Sequence, residues 1–288
     1  MNYRVTHKTT YRYKTPVSVG NHVACLTPRF LPNQRVLHNE IQIFPAPATR
    51  TERTDYFGNR LCFFTMQESH AELIVESRSE VSVDQRLQEF SEPSWEEVLH
   101  RLPLDHSREG LDAYQFTFES PRIRMRHEFA EYALQSFTPG RPVAAAALDL
   151  TSRIHHDFKF DSGVTNVRTP AEEVFLKRRG VCQDFAHVQI ACLRSIGLAA
   201  RYVSGYLRTY PAPGRPRMVG ADVSHAWVSV YCIENGWLDL DPTNDVIPSD
   251  GHVSVAWGRD YGDVSPLRGL VLGSGAHSLK VSVDMAPV

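Results

Sequence analysis

The sequence predicts an α+β protein in which an all-β, sandwich-like N-terminal domain precedes a domain of helices packed on an antiparallel sheet. Two observations support this prediction. Residues 1–88 alternate polar and apolar side chains between turns rich in proline, which is the period of strands. The later part of the chain shows helical spacing and then a second group of strands. Helices followed by neighbouring strands indicate an α+β arrangement and not a doubly wound one.

Composition narrows the class of protein. The 288 residues are 42% hydrophobic and 22% charged, which is ordinary for a globular protein with a real core. The formal net charge is -2 and no basic run stands out, so we expect no nucleic-acid partner. The chain starts with an alternating pattern, and no segment approaches the roughly 20 apolar residues of a membrane span. We therefore expect a cytoplasmic protein with no membrane partner, whose five cysteines are free thiols.

The first domain, residues 1–88, contains several strand-like stretches bounded by turn residues such as Pro28, Pro32 and the Asp55–Asn59 segment. Strands are predicted at YRVTHKTTYRY, VLHNEIQIFPA, RLCFFTM and ELIVESRSEVSV. Short strands with frequent turns are typical of a sandwich or a small barrel. A linker region is predicted within residues 89–120, and the second domain is predicted to span 121–288.

The second domain begins with helical patterns. Ser91 or Ser94 can cap a first helix, and another helix starts near Cys182 and stops at Gly197. Further helices are predicted within PRIRMRHEFAEYALQSF and RPVAAAALDLTSRIHHDF, and strands within ARYVSGYL, SHAWVSVYCI and WLDLD. The loop Thr209–Asp222 is predicted to border a cleft, as a lid or as a long connection. There is no Gly-x-Gly-x-x-Gly or Walker loop, so nucleotide binding finds no support.

Cys182 stands between Gly180 and an apolar helical pattern, where it could either pack or react. The first turn of a helix offers unpaired N–H groups and the positive end of the helix dipole, which favour a thiolate and can hold an oxyanion. A free cysteine is more often a small buried hydrophobe, and position alone favours that interpretation. Cys192 and Cys232, in apolar surroundings, are predicted to be core residues.

Residues that could act as a base for Cys182 shift the interpretation from a packed thiol toward a reactive one. His225 and Asp241 lie on two strands joined by a short turn, and either residue alone has an ordinary structural explanation. If Tyr231 faces Trp237 across the turn, Asp241 falls on the same face as His225, one diagonal step away. Asp239 shares that face nearer the turn and is the weaker candidate. A nucleophile, a base and an orienting carboxylate together predict thiol catalysis by Cys182, His225 and Asp241.

The motifs GVCQDFAH, SHAWVSVY and GWLDLDPTN resemble those of the bacterial transglutaminase-like superfamily, whose fold is similar to that of papain-like cysteine proteases. The N-terminal stretches YRVTHKTTYRYKTPVSVGNHVACLTPR and TERTDYFGNRLCFF resemble the β-rich domain that precedes this core in the same subgroup. By position, the resemblance assigns the nucleophile to Cys182, the base to His225 and the orienting carboxylate to Asp241. It implies that 121–288 is a cysteine catalytic domain. A second oxyanion donor stays open among Gln183, Asn166 and Trp227.

The resulting hypothesis is acyl transfer on a peptide or carboxamide bond through a thioester, with hydrolysis preferred over transfer to an amine. A peptide or protein substrate and no cofactor are expected, because nothing indicates the calcium sites of animal transglutaminases. Trp227 and Trp237 could line the dry tunnel that a cross-linking enzyme needs, but core packing explains them better. The N-terminal domain could recognise substrate, mediate homodimerisation or brace the catalytic domain.

Two other classes of function compete with this hypothesis. A non-catalytic peptide-binding scaffold would keep the fold without using the thiol. A metal enzyme would need a ligand set such as His155, His156 and Asp157, but adjacent helical residues point in different directions. Asp184, in the first turn of the Cys182 helix, is interpreted as stabilising the helix start rather than as a reacting group.

Overall fold

The computed structural model describes residues 1–85, 93–209, 223–273 and 275–288. The predicted strands of the N-terminal region are present, together with two shorter ones. The six strands are β1 (Asn2–Val17), β2 (Val19–Ala24), β3 (Gln34–Phe44), β4 (Thr49–Thr54), β5 (Arg60–Met66) and β6 (His70–Val83). β1 alternates buried and exposed side chains because one face of its sheet covers a core, whereas the edge strand β4 is exposed at every position.

Helices follow. They are α1 (Trp95–Arg101), α2 (Arg108–Tyr114), α3 (His127–Leu134) and α4 (Val143–Asp157), then α5 (Ala171–Lys177) and α6 (Cys182–Ser195). The two-residue strands β7 (Lys159–Phe160) and β8 (Arg179–Gly180) pair in parallel on either side of α5. Ser94, one of the two residues predicted to cap this helix, caps α1 through its hydroxyl. The other, Ser91, lies outside the described residues. The region predicted as a linker, 89–120, therefore contains α1 and α2 in its described part.

The remaining elements are β9 (Ala200–Leu207), β10 (Val223–Tyr231), β11 (Trp237–Leu240), β12 (His252–Gly258), α7 (Tyr261–Val264), β13 (Leu267–Leu272) and β14 (His277–Pro287). Four of these strands form an antiparallel sheet in the order β11-β10-β9-β12. Helix α6 packs on this sheet, and the apolar residues between them belong to the largest core cluster. The α+β prediction is thus confirmed.

The last two strands do not extend this sheet. β14 pairs with β1, and β13 pairs with β2, so each completes one of the two N-terminal sheets. The sheet orders are β14-β1-β6-β3 and β13-β2-β5-β4, and a second core cluster that includes Leu26, Phe64 and Leu73 lies between them. The N-terminal region is therefore a sandwich, as predicted. The predicted span 121–288 includes two strands that the structure places in this sandwich.

The sandwich braces the edge of the β11-β10-β9-β12 sheet at β12. The Gln34 amide donates to the Ser254 carbonyl (2.8 Å) and accepts from the Ser254 N–H (2.8 Å). The Asn59 amide makes the same pair of bonds with Trp257, at 2.8 and 3.0 Å. These amides pair backbone groups that an edge strand otherwise leaves open. Bracing is thus one role of the N-terminal domain, whereas substrate recognition and homodimerisation stay predictions.

Replacing Asn59 by alanine is expected to lower the free energy of unfolding by about 2–4 kcal/mol, because Asn59 is fully buried and its loss leaves Trp257 backbone groups unpaired. Urea unfolding of the whole chain measures this. Gln42→Ala is the matched control, since that amide lies on the exposed face of β3, and it is expected to change stability by less than about 0.5 kcal/mol. Equal stabilities for the two variants would contradict the bracing role.

The longest helix of the described ranges, α4, has 15 residues. In that part of the chain, no helix combines the length and the apolar character that crossing a bilayer requires.

Candidate active site

Cys182 is the first residue of α6, as the sequence predicts. The Asp184 carboxylate accepts a hydrogen bond from the Val181 N–H (2.8 Å) and another from the Thr165 hydroxyl (2.6 Å). This geometry agrees with the interpretation of Asp184 as a residue that stabilises the helix start. Gly180 is needed for space, because a Cβ there would lie 2.6 Å from an Asp184 carboxylate oxygen. The N–H of Cys182, at the first helical position, has no acceptor within the helix.

Cys182 differs from the other four cysteines in its exposure. All five are free thiols, but only Cys182 is partly exposed to solvent. Burial raises the pKa of Cys25 and of Cys232 to about 12, and it also raises the pKa of Cys62 and Cys192. Cys192 and Cys232 lie in the main core, as predicted. Four thiols are therefore held in their inert form, and Cys182 alone is accessible to a reagent.

The predicted strand register brings His225 and Asp241 together. Tyr231 pairs with Trp237, and the nitrogen Nε2 of His225 lies 2.7 Å from Oδ2 of Asp241. The competing carboxylate, Asp239, instead accepts a hydrogen bond from the Ser229 hydroxyl. With Nε2 of His225 bonded to Asp241, the other ring nitrogen is left for Cys182, whose thiol lies close enough to help raise the pKa of this imidazole.

Asp241 is fully buried and surrounded by donors. Its oxygen Oδ1 accepts from the backbone N–H groups of Thr243 (2.9 Å) and Asn244 (3.2 Å). Its oxygen Oδ2 accepts from the side chains of His225, Asn244 (2.7 Å) and His252 (3.2 Å). Burial by itself favours the protonated acid, but the hydrogen bonds from His225 and His252 outweigh it and hold the pKa of Asp241 well below its usual value. Asp241 is therefore a fixed negative charge.

His225 is the group that this charge affects most. Burial lowers the pKa of the imidazole, but the hydrogen bonds to Asp241 and Cys182 outweigh burial and raise the pKa to about 10. The ring is therefore cationic at neutral pH, next to the one accessible thiol. An imidazolium in that position stabilises a thiolate. The structure thus brings the three predicted residues together, and their catalytic roles stay predictions.

His252 and Asn244 were not predicted from the sequence, although both contact Asp241. Asn244 lies within the quoted motif GWLDLDPTN, three residues after Asp241, where an Asx-type turn can be expected. His252 begins the stretch HVSVAW, whose alternation predicts a strand with its first side chain on the same face as Ser254. That pattern could have indicated a histidine at a strand end, but not its contact.

His225, Asp241 and His252 also place three potential metal ligands within 4.8 Å of one another. A metal ion binds a neutral imidazole nitrogen, so at His225 it would compete with the proton that the hydrogen bond to Asp241 favours. Both imidazoles also donate to the same carboxylate oxygen. The arrangement therefore favours a hydrogen-bonded charge network over a metal site.

The other metal hypothesis finds no common site. His155 interacts with the Thr243 carbonyl (2.9 Å), and His156 interacts with the Ser152 carbonyl (2.7 Å). Asp157 accepts a hydrogen bond from the Tyr132 hydroxyl at 2.7 Å. The three side chains have different partners, so they do not form one ligand set.

The candidates for a second oxyanion donor have different surroundings. The Gln183 amide donates a long bond of 3.5 Å to the Val167 carbonyl, and the Asn166 side chain accepts from the Arg168 N–H. Trp227 is fully buried, and its indole N–H has no hydrogen-bond partner. None of the three is held at Cys182 by a described hydrogen bond. The predicted cleft-bordering loop, Thr209–Asp222, lies almost wholly outside the described residues.

The fold and the site define a class of protein: a helix that begins at a cysteine, packed on an antiparallel sheet that carries a histidine and a buried aspartate. Residues 3–82 match the bacterial transglutaminase-like N-terminal region, and residues 131–242 match the transglutaminase-like superfamily. An uncharacterized protein of Mycobacterium tuberculosis is 43% identical over 296 residues, which cover 99% of this chain and 92% of that protein. The chain belongs to the transglutaminase-like superfamily.

Two further similarities are more distant. A protein-glutamine gamma-glutamyltransferase of Pseudomonas aeruginosa is 28% identical over 167 residues, which are 58% of this chain and 24% of that protein. A crystal structure from Cytophaga hutchinsonii, of a protein provisionally assigned as a cysteine protease, superposes with a TM-score of 0.77 at 22% identity. The superposition covers 99% of this chain and 90% of the other. It confirms the fold prediction over both domains.

Proposed function

We propose that the protein catalyses thiol-dependent acyl transfer on a peptide or carboxamide bond and that water is the usual acceptor. The observation that carries this proposal is the His225 ring, which is bonded to the buried Asp241 carboxylate and lies close enough to Cys182 for the thiol to help raise its pKa. Membership of a superfamily of thiol acyl-transfer proteins supports the same chemistry. A peptide or protein is the proposed substrate, and no cofactor takes part in the mechanism.

In the first half of the reaction, the Cys182 thiolate attacks the carbonyl carbon of the substrate, and the negative charge moves to the carbonyl oxygen. The free N–H of Cys182 at the start of α6 is suited to stabilise this oxyanion. His225 then gives its proton to the leaving nitrogen, which departs as an amine or as ammonia. A thioester remains on Cys182, and His225 is neutral.

In the second half, neutral His225 removes a proton from water as the water oxygen attacks the thioester carbonyl. The carbon–sulfur bond breaks, the acid leaves, and the thiolate and imidazolium are restored. Asp241 stays ionised throughout, because its role is to hold the ring tautomer and to balance the imidazolium charge.

Partial exposure of Cys182 favours water as the acceptor. A cross-linking enzyme needs to exclude water from its thioester. Trp227 is fully buried in the sheet, which fits the core-packing interpretation, whereas Trp237 is only partly buried and lies against the Arg201 guanidinium (4.0 Å). The second candidate is transfer to a primary amine, which the glutamyltransferase relative of Pseudomonas aeruginosa favours.

The test is detection of a thioester by intact-mass spectrometry with a pool of glutamine-containing peptides, with and without a primary amine such as cadaverine. Cys182→Ala is the control. We expect a mass adduct on the wild-type chain alone and release of hydrolysed peptide in both conditions. Stoichiometric incorporation of cadaverine would replace hydrolysis by the transglutaminase alternative, and no adduct under any condition would contradict the proposal.

A further inference from the structure

His252 is the first residue of β12, and its ring is buried beside the candidate active site. The ring lies edge-on to Trp227, with centroids 5.4 Å apart, and its Nε2 is 3.2 Å from Oδ2 of Asp241. Nothing in the reaction described above uses this side chain. A buried imidazole is costly unless both nitrogens have partners, so its contacts indicate what the residue does.

Both nitrogens of His252 have partners, and together they define the tautomer. The Ser249 N–H points to Nδ1 of the ring at 3.4 Å, so Nδ1 is the acceptor. The proton is then on Nε2, where it is donated to Asp241. The backbone N–H of His252 in turn donates to the Ser249 carbonyl at 3.0 Å. These two contacts between Ser249 and His252 hold the ring in this orientation without any substrate.

Asp241 needs such a support because it lies just beyond the end of β11, in a turn. The backbone N–H groups of Thr243 and Asn244 hold Oδ1, but these donors come from the same turn and move with it. His252 reaches Oδ2 from the opposite edge of the sheet, since the strand order is β11-β10-β9-β12. It therefore ties the carboxylate to a separate, braced strand.

We propose that His252 is a positioning residue that holds the Asp241 carboxylate in the orientation needed by His225. This inference rests on the proposed function, because it assigns a purpose to the His225–Asp241 contact. The titratable groups that face His225 are Cys182 from α6, Asp241 after β11 and His252 from β12. His252 shares Oδ2 of Asp241 with His225, and the centroids of the two rings are 6.2 Å apart, so we assign its effect on His225 to the shared carboxylate.

The experiment is an NMR titration of the His225 ring in the full-length protein, in wild type and in the variants His252→Ala, His252→Gln and His252→Asn. In His252→Ala the carboxylate is free to turn away, and the pKa of His225 is expected to fall by about one unit or more. Glutamine can place an N–H near the Nε2 position and is expected to restore the wild-type value. Asparagine is too short and is expected to behave like alanine.

His22→Ala is the matched control, because it removes a buried histidine of the N-terminal sandwich that stacks on Phe64 and lies outside the site. It is expected to leave the His225 titration unchanged. A purely structural His252 would lower the melting temperature without moving the His225 titration, and this result would overturn the inference. Equal His225 pKa values in the His252→Gln and His252→Asn variants would also overturn the inference. This comparison replaces the alanine variant if that variant does not fold.

A second readout uses iodoacetamide, whose rate of reaction with Cys182 reports the thiolate held by His225. Alkylation is expected to be slower in His252→Ala and His252→Asn than in wild type and His252→Gln. Neither readout needs a substrate. Failure of the proposed function, seen as a wild-type chain that forms no thioester, is therefore distinguishable from failure of the role of His252, seen as unchanged titration and alkylation.

Discussion

Replacing Cys182 by alanine is expected to abolish the thioester and to lower turnover of a peptide substrate by at least about 10⁴-fold. The reason is that no other thiol can take its place. The other four cysteines are buried, and burial raises their pKa values, to about 12 for Cys25 and Cys232. The measurement compares initial rates and intact masses for wild type and variant, on the peptide that forms the adduct.

Cys232→Ala is the matched control for this experiment, since it removes a buried thiol from the end of the same sheet. It is expected to keep the thioester and most of the activity, with some loss of stability from the cavity. Iodoacetamide gives an independent check, because Cys182 is expected to react well before the other thiols. Alkylation of Cys182 no faster than that of its buried neighbours would favour the non-catalytic scaffold.

Much of the transglutaminase-like core could be predicted because its elements are local. The helix at Cys182 is marked by the preceding glycine and by apolar spacing, and the β10–β11 hairpin by a short turn between alternating residues. The assumed pairing of Tyr231 with Trp237 is confirmed, and it fixes which face carries His225 and Asp241. Local periodicity and turn chemistry were sufficient for these residues.

The features that could not be predicted depend on pairings between distant parts of the chain. Alternation identifies a strand, but it does not say which sheet the strand joins. β13 and β14 follow the β11-β10-β9-β12 sheet in sequence and yet pair with β2 and β1, roughly 240 to 285 residues earlier. Neighbouring strands in sequence usually pair, so local reasoning groups these residues with the strands that precede them.

The contact between Asp241 and His252 was missed for a similar reason. Their strands lie at opposite edges of the four-stranded sheet, and the two side chains meet across the strands between them. That crossing depends on the order of all four strands. The sequence shows the two residues 11 positions apart, with nothing local to join them.

Replacing Asp241 by asparagine is expected to lower turnover by about 10²–10⁴-fold. An amide nitrogen facing His225 favours the tautomer with the proton on the wrong nitrogen, so the ring no longer accepts the Cys182 proton. The pKa of His225, about 10 in the intact site, is expected to fall toward its ordinary value of 6.5. Kinetics and the His225 titration measure the two effects. Asp239→Asn is the matched control, because Asp239 bonds to Ser229 and is expected to leave both nearly unchanged.

The same substitution is expected to change how stability depends on pH. The pKa of His225 is raised on folding, so its contribution is fully present below about pH 6.5 and is lost as the pH rises toward 10. The pKa of Asp241 is lowered on folding, so its contribution is present above its ordinary value of 3.8 and is lost as the pH falls further. Wild-type stability is therefore expected to decrease by a few kcal/mol between pH 6.5 and 10, while Asp241→Asn shows a nearly flat profile there. Parallel profiles in urea unfolding at several pH values would mean that the two side chains are not coupled in solution.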